Sequence, residues 1–310
     1  RFYFLYATDV VRAIDENEAA RRIIRAVPDY THTPAYLSIL NNAVLGSSLQ
    51  HDYITAYKNA VEGLTLVDPD KNASVYCALL NNTALILADI GLHHKALRQL
   101  ERSMEYLPRL TLYTRVSTQY RYADALMQAG RLNEAEALFK SLCENHTDIY
   151  PWQFYPPLMR IAYLRGDGPA LDAWQVRLVK TNPYDGEKSF ELRNVGFALG
   201  LWHVYHGRFE EAEKLFLDVV EDGGAAMLSQ YDLLSEFALL YDRWNKPDKA
   251  CIYYRMLDDM HRRALALADE VFTFEDEAGG RAAFERASAS LYRRVRKLSA
   301  LGQRITACLN

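Results

Sequence analysis

The chain has 310 residues, half of them hydrophobic and a quarter charged, with a formal net charge of −4. That composition suits a globular chain long enough to bury a sizeable core, and so small a charge gives no argument for nucleic acid or a membrane surface as partner of the whole chain, neither of which is expected. No apolar run approaches the ~20 residues of a membrane span and no signal peptide is visible, so the expected location is the cytoplasm.

The cysteines agree with that location. Cys77, Cys143, Cys251 and Cys308 are scattered without a CxxC pair, which suggests neither a zinc site nor a disulfide framework but four buried small apolar residues in a reducing compartment. The charge is uneven. Arg281, Arg286, Arg293, Arg294, Arg296, Lys297 and Arg304 face only Glu285 beyond residue 280, which makes the last thirty residues basic and the rest acidic.

Along the chain one local pattern recurs. A first predicted unit is outlined by Tyr6, Ala7, Ala19 and Ile23, and a second by Ala43, Ala56 and Pro69 with His51 at its turn. In the third, Leu80, Ala84 and Leu87 precede Gly91, which leads to Ala96 and Leu100. The fourth runs from Gly130 to Ala135 and Phe139. Leu158, Gly166, Leu171 and Leu178 outline the fifth. The sixth has Leu199, Gly200 and Val204, then Gly207, Ala212 and Phe216, and the seventh has Asn245, Ala250 and Tyr254. Each unit is therefore expected to be a helix, a tight turn and a second helix. Glycine or asparagine takes the left-handed turn, alanine lets the two backbones approach, and the bulky residue one turn later fills the groove between them.

This grammar resembles the tetratricopeptide repeat over nearly the whole chain, with Leu199-Gly200, Gly207, Ala212 and Phe216 the best match and Pro108 and Pro183 where that family often ends its second helix. The resemblance implies an all-α, helix-turn-helix solenoid of about seven repeats over residues 1–280, curling into a superhelix with a concave face lined by the first helices. The anchors Ala19, Ala56, Ala96, Ala135, Leu171, Ala212 and Ala250 are spaced 37, 40, 39, 36, 41 and 38 residues apart. All exceed the family's ~34, and the excess is expected in longer helices or loops, for example around Asp148–Pro157.

First-helix polar residues then face a groove. Leu40-Asn41-Asn42-Ala43 and Leu80-Asn81-Asn82-Thr83 repeat 40 residues apart, and asparagine offers both donor and acceptor to an extended peptide. Asn42 and Asn82 resemble the groove asparagines of the family; the alternative is that they only hydrogen-bond between helices. Tyr120, Arg121, Asp124, Arg160 and Tyr163 are further groove candidates, with arginine forks suited to carboxylate or phosphate. No lysines stand beside the asparagines as in the family's carboxylate clamp, so an acidic peptide C-terminus is not the expected ligand.

Candidate chemistry is sparse. His203 and His206 share a helix face without a third ligand, His93-His94 reads as solvated, and Asp258-Asp259 and Glu275-Asp276-Glu277 lack a calcium-loop glycine pattern. No GxSxG, P-loop or dinucleotide fingerprint occurs. Neither metal, cofactor nor enzymatic activity is expected.

Residues 281–310 follow Gly279-Gly280 and change period. Phe284, Leu291, Leu298 and Ile305 recur every seven residues, and Ser288, Val295, Gly302 and Leu309 lie four further on. That is a coiled-coil seam for a homodimer, or else an amphipathic cap on the last repeat. An array joined to such a helix resembles the sensory half of a bacterial signalling protein, whose helix feeds an output domain, commonly a diguanylate cyclase. Three functions are therefore weighed: a regulatory solenoid that binds protein, peptide or a small-molecule effector and drives an output domain; a stand-alone adaptor that holds peptide segments of partner proteins; and the effector-binding region of a transcriptional regulator.

Overall fold

A computed structural model describes residues 10–49, 52–89, 92–145, 151–181, 190–221, 230–259 and 308. They form helices joined by turns and short 3₁₀ segments: α1 Val10–Ile24, α2 Pro34–Leu49, α3 Tyr53–Leu66, α4 Ala73–Asp89, α5 His93–Met104, α6 Leu112–Gln128 and α7 Leu132–Asn145. Then come α8 Tyr155–Arg165, α9 Gly168–Thr181, α10 Phe190–Tyr205, α11 Phe209–Glu221, α12 Gln230–Arg243 and a thirteenth helix, α13, over 247–259. The array is a tetratricopeptide-type helix-turn-helix solenoid. Among the described residues no strand occurs, and no helix is long and apolar enough to cross a membrane.

The described residues fall into two compact units, one ending at Ala129 and the other beginning at Gly130. In the first, α2 pairs with α3 and α4 with α5; in the second, α8 pairs with α9 and α10 with α11. The even-numbered helices are the first helices of their repeats, and several of them are long; α8, with 11 residues, is an exception. α4 and α6 have 17 residues and α2 and α10 have 16, against 12 in α5 and 13 in α11.

The anchors hold the register. Ala56, Ala96, Ala135, Leu171, Ala212 and Ala250 each fall on the fourth residue of their helix and are essentially inaccessible. Leu100, Phe139, Phe216 and Tyr254, one turn later, are buried as well. Each such side chain contributes about 1.5–3 kcal/mol by leaving water. The first unit differs from expectation: Ala19 is half-exposed, and Ala13, at 0% exposure, takes the buried place. Without a glycine turn in the described residues before it, that unit offered no marker of register.

Turn chemistry fits the sequence. Gly130, Gly166, Gly207 and Asn245 all adopt positive φ, between 57° and 81°, and the carboxylate of Asp52 and the hydroxyl of Thr111 accept from the backbone N–H groups of Thr55 and Thr114 at the starts of α3 and α6. The cysteines depart from expectation. Cys251 of α13 is joined to Cys308 in a disulfide, a pairing over 57 residues that spacing alone cannot reveal. Cys77 is a free buried thiol; Cys143 is free and half-buried, its thiol pushed up to about 11 by burial.

The tightest contact joins α10 to α11. A Cβ on Gly200 would lie 2.3 Å from the ring of Phe216, so only glycine lets the helices meet there. Gly200→Ala is expected to cost about 1–3 kcal/mol through overpacking despite alanine's better helix propensity. Denaturant unfolding of the single variant and of Gly200→Ala with Phe216→Leu should show the second change recovering part of that loss. A more stable single variant would mean that the helices have room to spare.

Candidate peptide-binding faces on the inner helices

In the first unit the paired asparagines bind one another's helices. The Asn82 Nδ2 group of α4 donates to Asn41 Oδ1 of α2 at 2.9 Å, and the Asn81 Nδ2 group donates to Thr118 Oγ1 of α6 at 2.9 Å. Asn81 and Asn82 are buried, as is Thr118, while Asn41 and Asn42 are half-buried. The result is a row of amide rungs across α2, α4 and α6. The Asn41–Asn82 rung consumes one acceptor and one donor. It leaves the Asn41 amino group and the Asn82 carbonyl oxygen without a partner among the described residues, a pair that matches the donor and acceptor of an extended backbone.

On α6, Tyr120, Arg121 and Asp124 are half-buried. The Gln128 Nε2 group donates to Asp124 Oδ2 at 2.9 Å. Tyr120 also has a partner, whereas Arg121 makes no ion pair among the described residues. Asn42, Asn82 and Arg121 occupy one register, each fourteen residues before its unit's buried alanine at 56, 96 and 135.

In the second unit Arg160 and Tyr163 of α8 engage side chains of other inner helices. Arg160 is ion-paired with Asp232 of α12 and lies over the ring of Phe197 on α10, 5.7 Å from its centre. The Tyr163 hydroxyl donates to Glu236 Oε2 of α12 at 3.1 Å, with the Arg243 guanidinium 5.7 Å from the tyrosine ring centre. Burial, and then the neighbouring Glu236, hold the Tyr163 hydroxyl well above its ordinary pKa. Crowding by protein likewise pushes the Glu236 carboxyl up to about 7, against the opposing pull of Arg160 and Arg243.

Asp232, Glu236 and Arg243 escaped the sequence reading, yet a signal existed. Glu236 lies fourteen residues before Ala250, the register of Asn42, Asn82 and Arg121. Of the histidines at 203 and 206, the second joins a helix clamp: His206 Nε2 lies 2.8 Å from Asp172 Oδ1, which also accepts from Trp202 Nε1 at 2.6 Å. These bonds, the tryptophan's first, hold the Asp172 carboxyl below the usual range. Among the described residues no group of three or more His, Cys, Asp or Glu could hold a metal ion. The seam positions Phe284, Leu291, Val295, Leu298, Ile305 and Leu309 lie outside the described residues.

No protein-family model matches the sequence, and no curated protein matches it either. Solved structures do match. A crystal structure of a Rap protein complexed with Competence and Sporulation Factor aligns with a TM-score of 0.68 at 18% identity, over 86% of this chain and 74% of that one. The Rap conjugation gene regulator of the plasmid pLS20, in complex with the Phr* peptide, aligns with a TM-score of 0.57 at 13% identity, over 89% and 77%. At such identities the likeness is one of fold.

The rungs separate structural from ligand-facing amides. Asn81→Ala strips the buried Thr118 hydroxyl of its partner and is expected to cost about 1–3 kcal/mol in denaturant unfolding. Asn41→Ala orphans the Asn82 amino group, which is less deeply buried than the Thr118 hydroxyl, and should cost less. Equal costs would contradict the distinction.

Proposed function

We propose that the chain is a non-catalytic regulatory solenoid that captures a peptide on its inner-helix faces, acting as a stand-alone peptide-responsive regulator. The observation that carries this is the amide row of α2 and α4, where one asparagine pair presents a donor and an acceptor that have no partner among the described residues. Main-chain recognition of that kind tolerates varied side chains and leaves specificity to neighbouring pockets. The fold likeness to two Rap proteins supports it. One of them is described as bound to a factor and the other to a peptide, and the latter is a gene regulator.

The alternative, a sensory half that drives a diguanylate cyclase through a paired helix at 281–310, draws no support from the comparisons and depends on residues outside those described. A small-molecule effector is likewise less well matched by a row of amides spanning several helices than an extended chain is.

Panning a library of linear peptides displayed on phage against the purified chain checks the proposal. The wild type is expected to enrich a family of sequences whose synthetic forms bind in calorimetry. The double variant Asn41→Ala, Asn82→Ala, if still folded by circular dichroism, should bind them at least tenfold more weakly. Enrichment that is unaffected by the double variant, or no enrichment at all, would overturn it.

A further inference from the structure

The first helices of the first unit carry little charge. α2 holds no Asp, Glu, Lys or Arg, α4 holds only Asp89 at its last position, and α6 holds Arg115, Arg121 and Asp124. Arg115 is spent on the chain itself, its Nε and Nη2 groups donating to the carbonyl oxygens of Leu107 and Leu110 at 3.2 and 3.3 Å. Asp124 accepts from Gln128. Of the three on α6, Arg121 is the one that makes no hydrogen bond or ion pair among the described residues, although it is half-buried.

Its place beside the amide row follows from the rungs. Thr118 accepts from the Asn81 Nδ2 group and stands one turn before Arg121, so the two share a face of α6. From α2 to α6 the row therefore reads Asn41 with Asn82, Asn81 with Thr118, then Arg121. The fold does not consume the guanidinium. Even Asn81 Oδ1, buried and without a hydrogen-bond partner among the described residues, is not filled by it. A charge partly withdrawn from water is compensated by a counter-charge, and the second unit supplies one internally, where Arg160 meets Asp232. Arg121 meets no such carboxylate among the described residues.

We propose that Arg121 is a specificity-determining residue of the peptide face and binds a carboxylate of the captured peptide, either an acidic side chain or the peptide's own terminus. The inference rests on peptide capture by α2 and α4. A planar guanidinium offers a two-pronged, charge-assisted fit to a carboxylate that no neutral side chain equals. Packed helices lie about 8–10 Å apart and an extended chain advances about 3.3 Å per residue, so the carboxylate falls roughly three to five residues from the one held by Asn41 and Asn82. A clamp of several lysines is not needed: one arginine asks for one carboxylate at one position.

Peptides enriched on the wild type by panning, synthesised in three forms, test this. The forms are the selected sequence, the sequence with each Asp and Glu replaced by Asn and Gln, and the sequence with its terminal carboxyl amidated. In calorimetry on the wild type, at least one altered form is expected to bind about tenfold more weakly, which identifies the source of the carboxylate. Arg121→Gln, folded by circular dichroism, should bind all three forms alike. Arg121→Glu, panned afresh, should enrich peptides with lysine or arginine in place of the acid. The proposal is overturned if neither altered form binds the wild type more weakly, or if Arg121→Gln keeps the wild-type preference. A wild type that enriches no peptide overturns capture and this role together. Peptides that need Asn41 and Asn82 but no carboxylate leave capture standing and remove only the role of Arg121.

Discussion

Everything in this chain depends on how closely two helices of a repeat can approach. Where a small residue faces a large one, as Gly200 faces Phe216, the backbones come together and the ring fills the space that a Cβ would have taken. On the second helices, Ala96, Ala135 and Ala212 stand one turn before Leu100, Phe139 and Phe216, all buried. The contact does more than stabilise. By fixing the fourth residue of each second helix in the core, it sets the rotation of the first helix about its own axis, and so decides which of its residues face inward.

That rotation makes the inner faces comparable from repeat to repeat. Asn42, Asn82, Arg121 and Glu236 stand at one register relative to their buried alanines, yet their surroundings assign them different work. Asn82 meets Asn41 and becomes a rung. Arg121 stands without an ionic partner among the described residues. Glu236 meets a phenol and two guanidinium groups, and burial raises its carboxyl against their pull. A solenoid can therefore vary its chemistry along one line of positions while the packing beneath stays the same, because each repeat buries its core only against its neighbours.

The same division explains what was legible in the sequence. Turns and anchors are local and periodic, so Gly166, Gly207, Asn245 and the anchors from Ala56 to Ala250 could be read directly and lie where expected. The first unit misled because no glycine marks its turn in the described residues, and Ala13 rather than Ala19 is buried. Arg160 and Tyr163 were visible as inward-facing. Their partners Asp232 and Glu236 were not, since they lie some seventy residues on and only the register links them. The Cys251–Cys308 pair was invisible for the same reason: a side chain that reaches beyond the next repeat leaves no period in the sequence.

Neutral rungs and charged spans also differ in what they can respond to. An amide pair titrates nowhere in the physiological range, so the α2–α4 face offers the same donor and acceptor whatever the pH or salt. The α8–α12 span joins groups of opposite charge at partial burial, where screening is weak and the balance between desolvation and attraction is fine. A small perturbation, a proton or a competing charge, can move such a balance when it cannot move a neutral one. Constancy suits recognition of a backbone that is the same in every peptide, and responsiveness suits control. Both properties arise from the choice between asparagine and glutamate at a single position of the repeat.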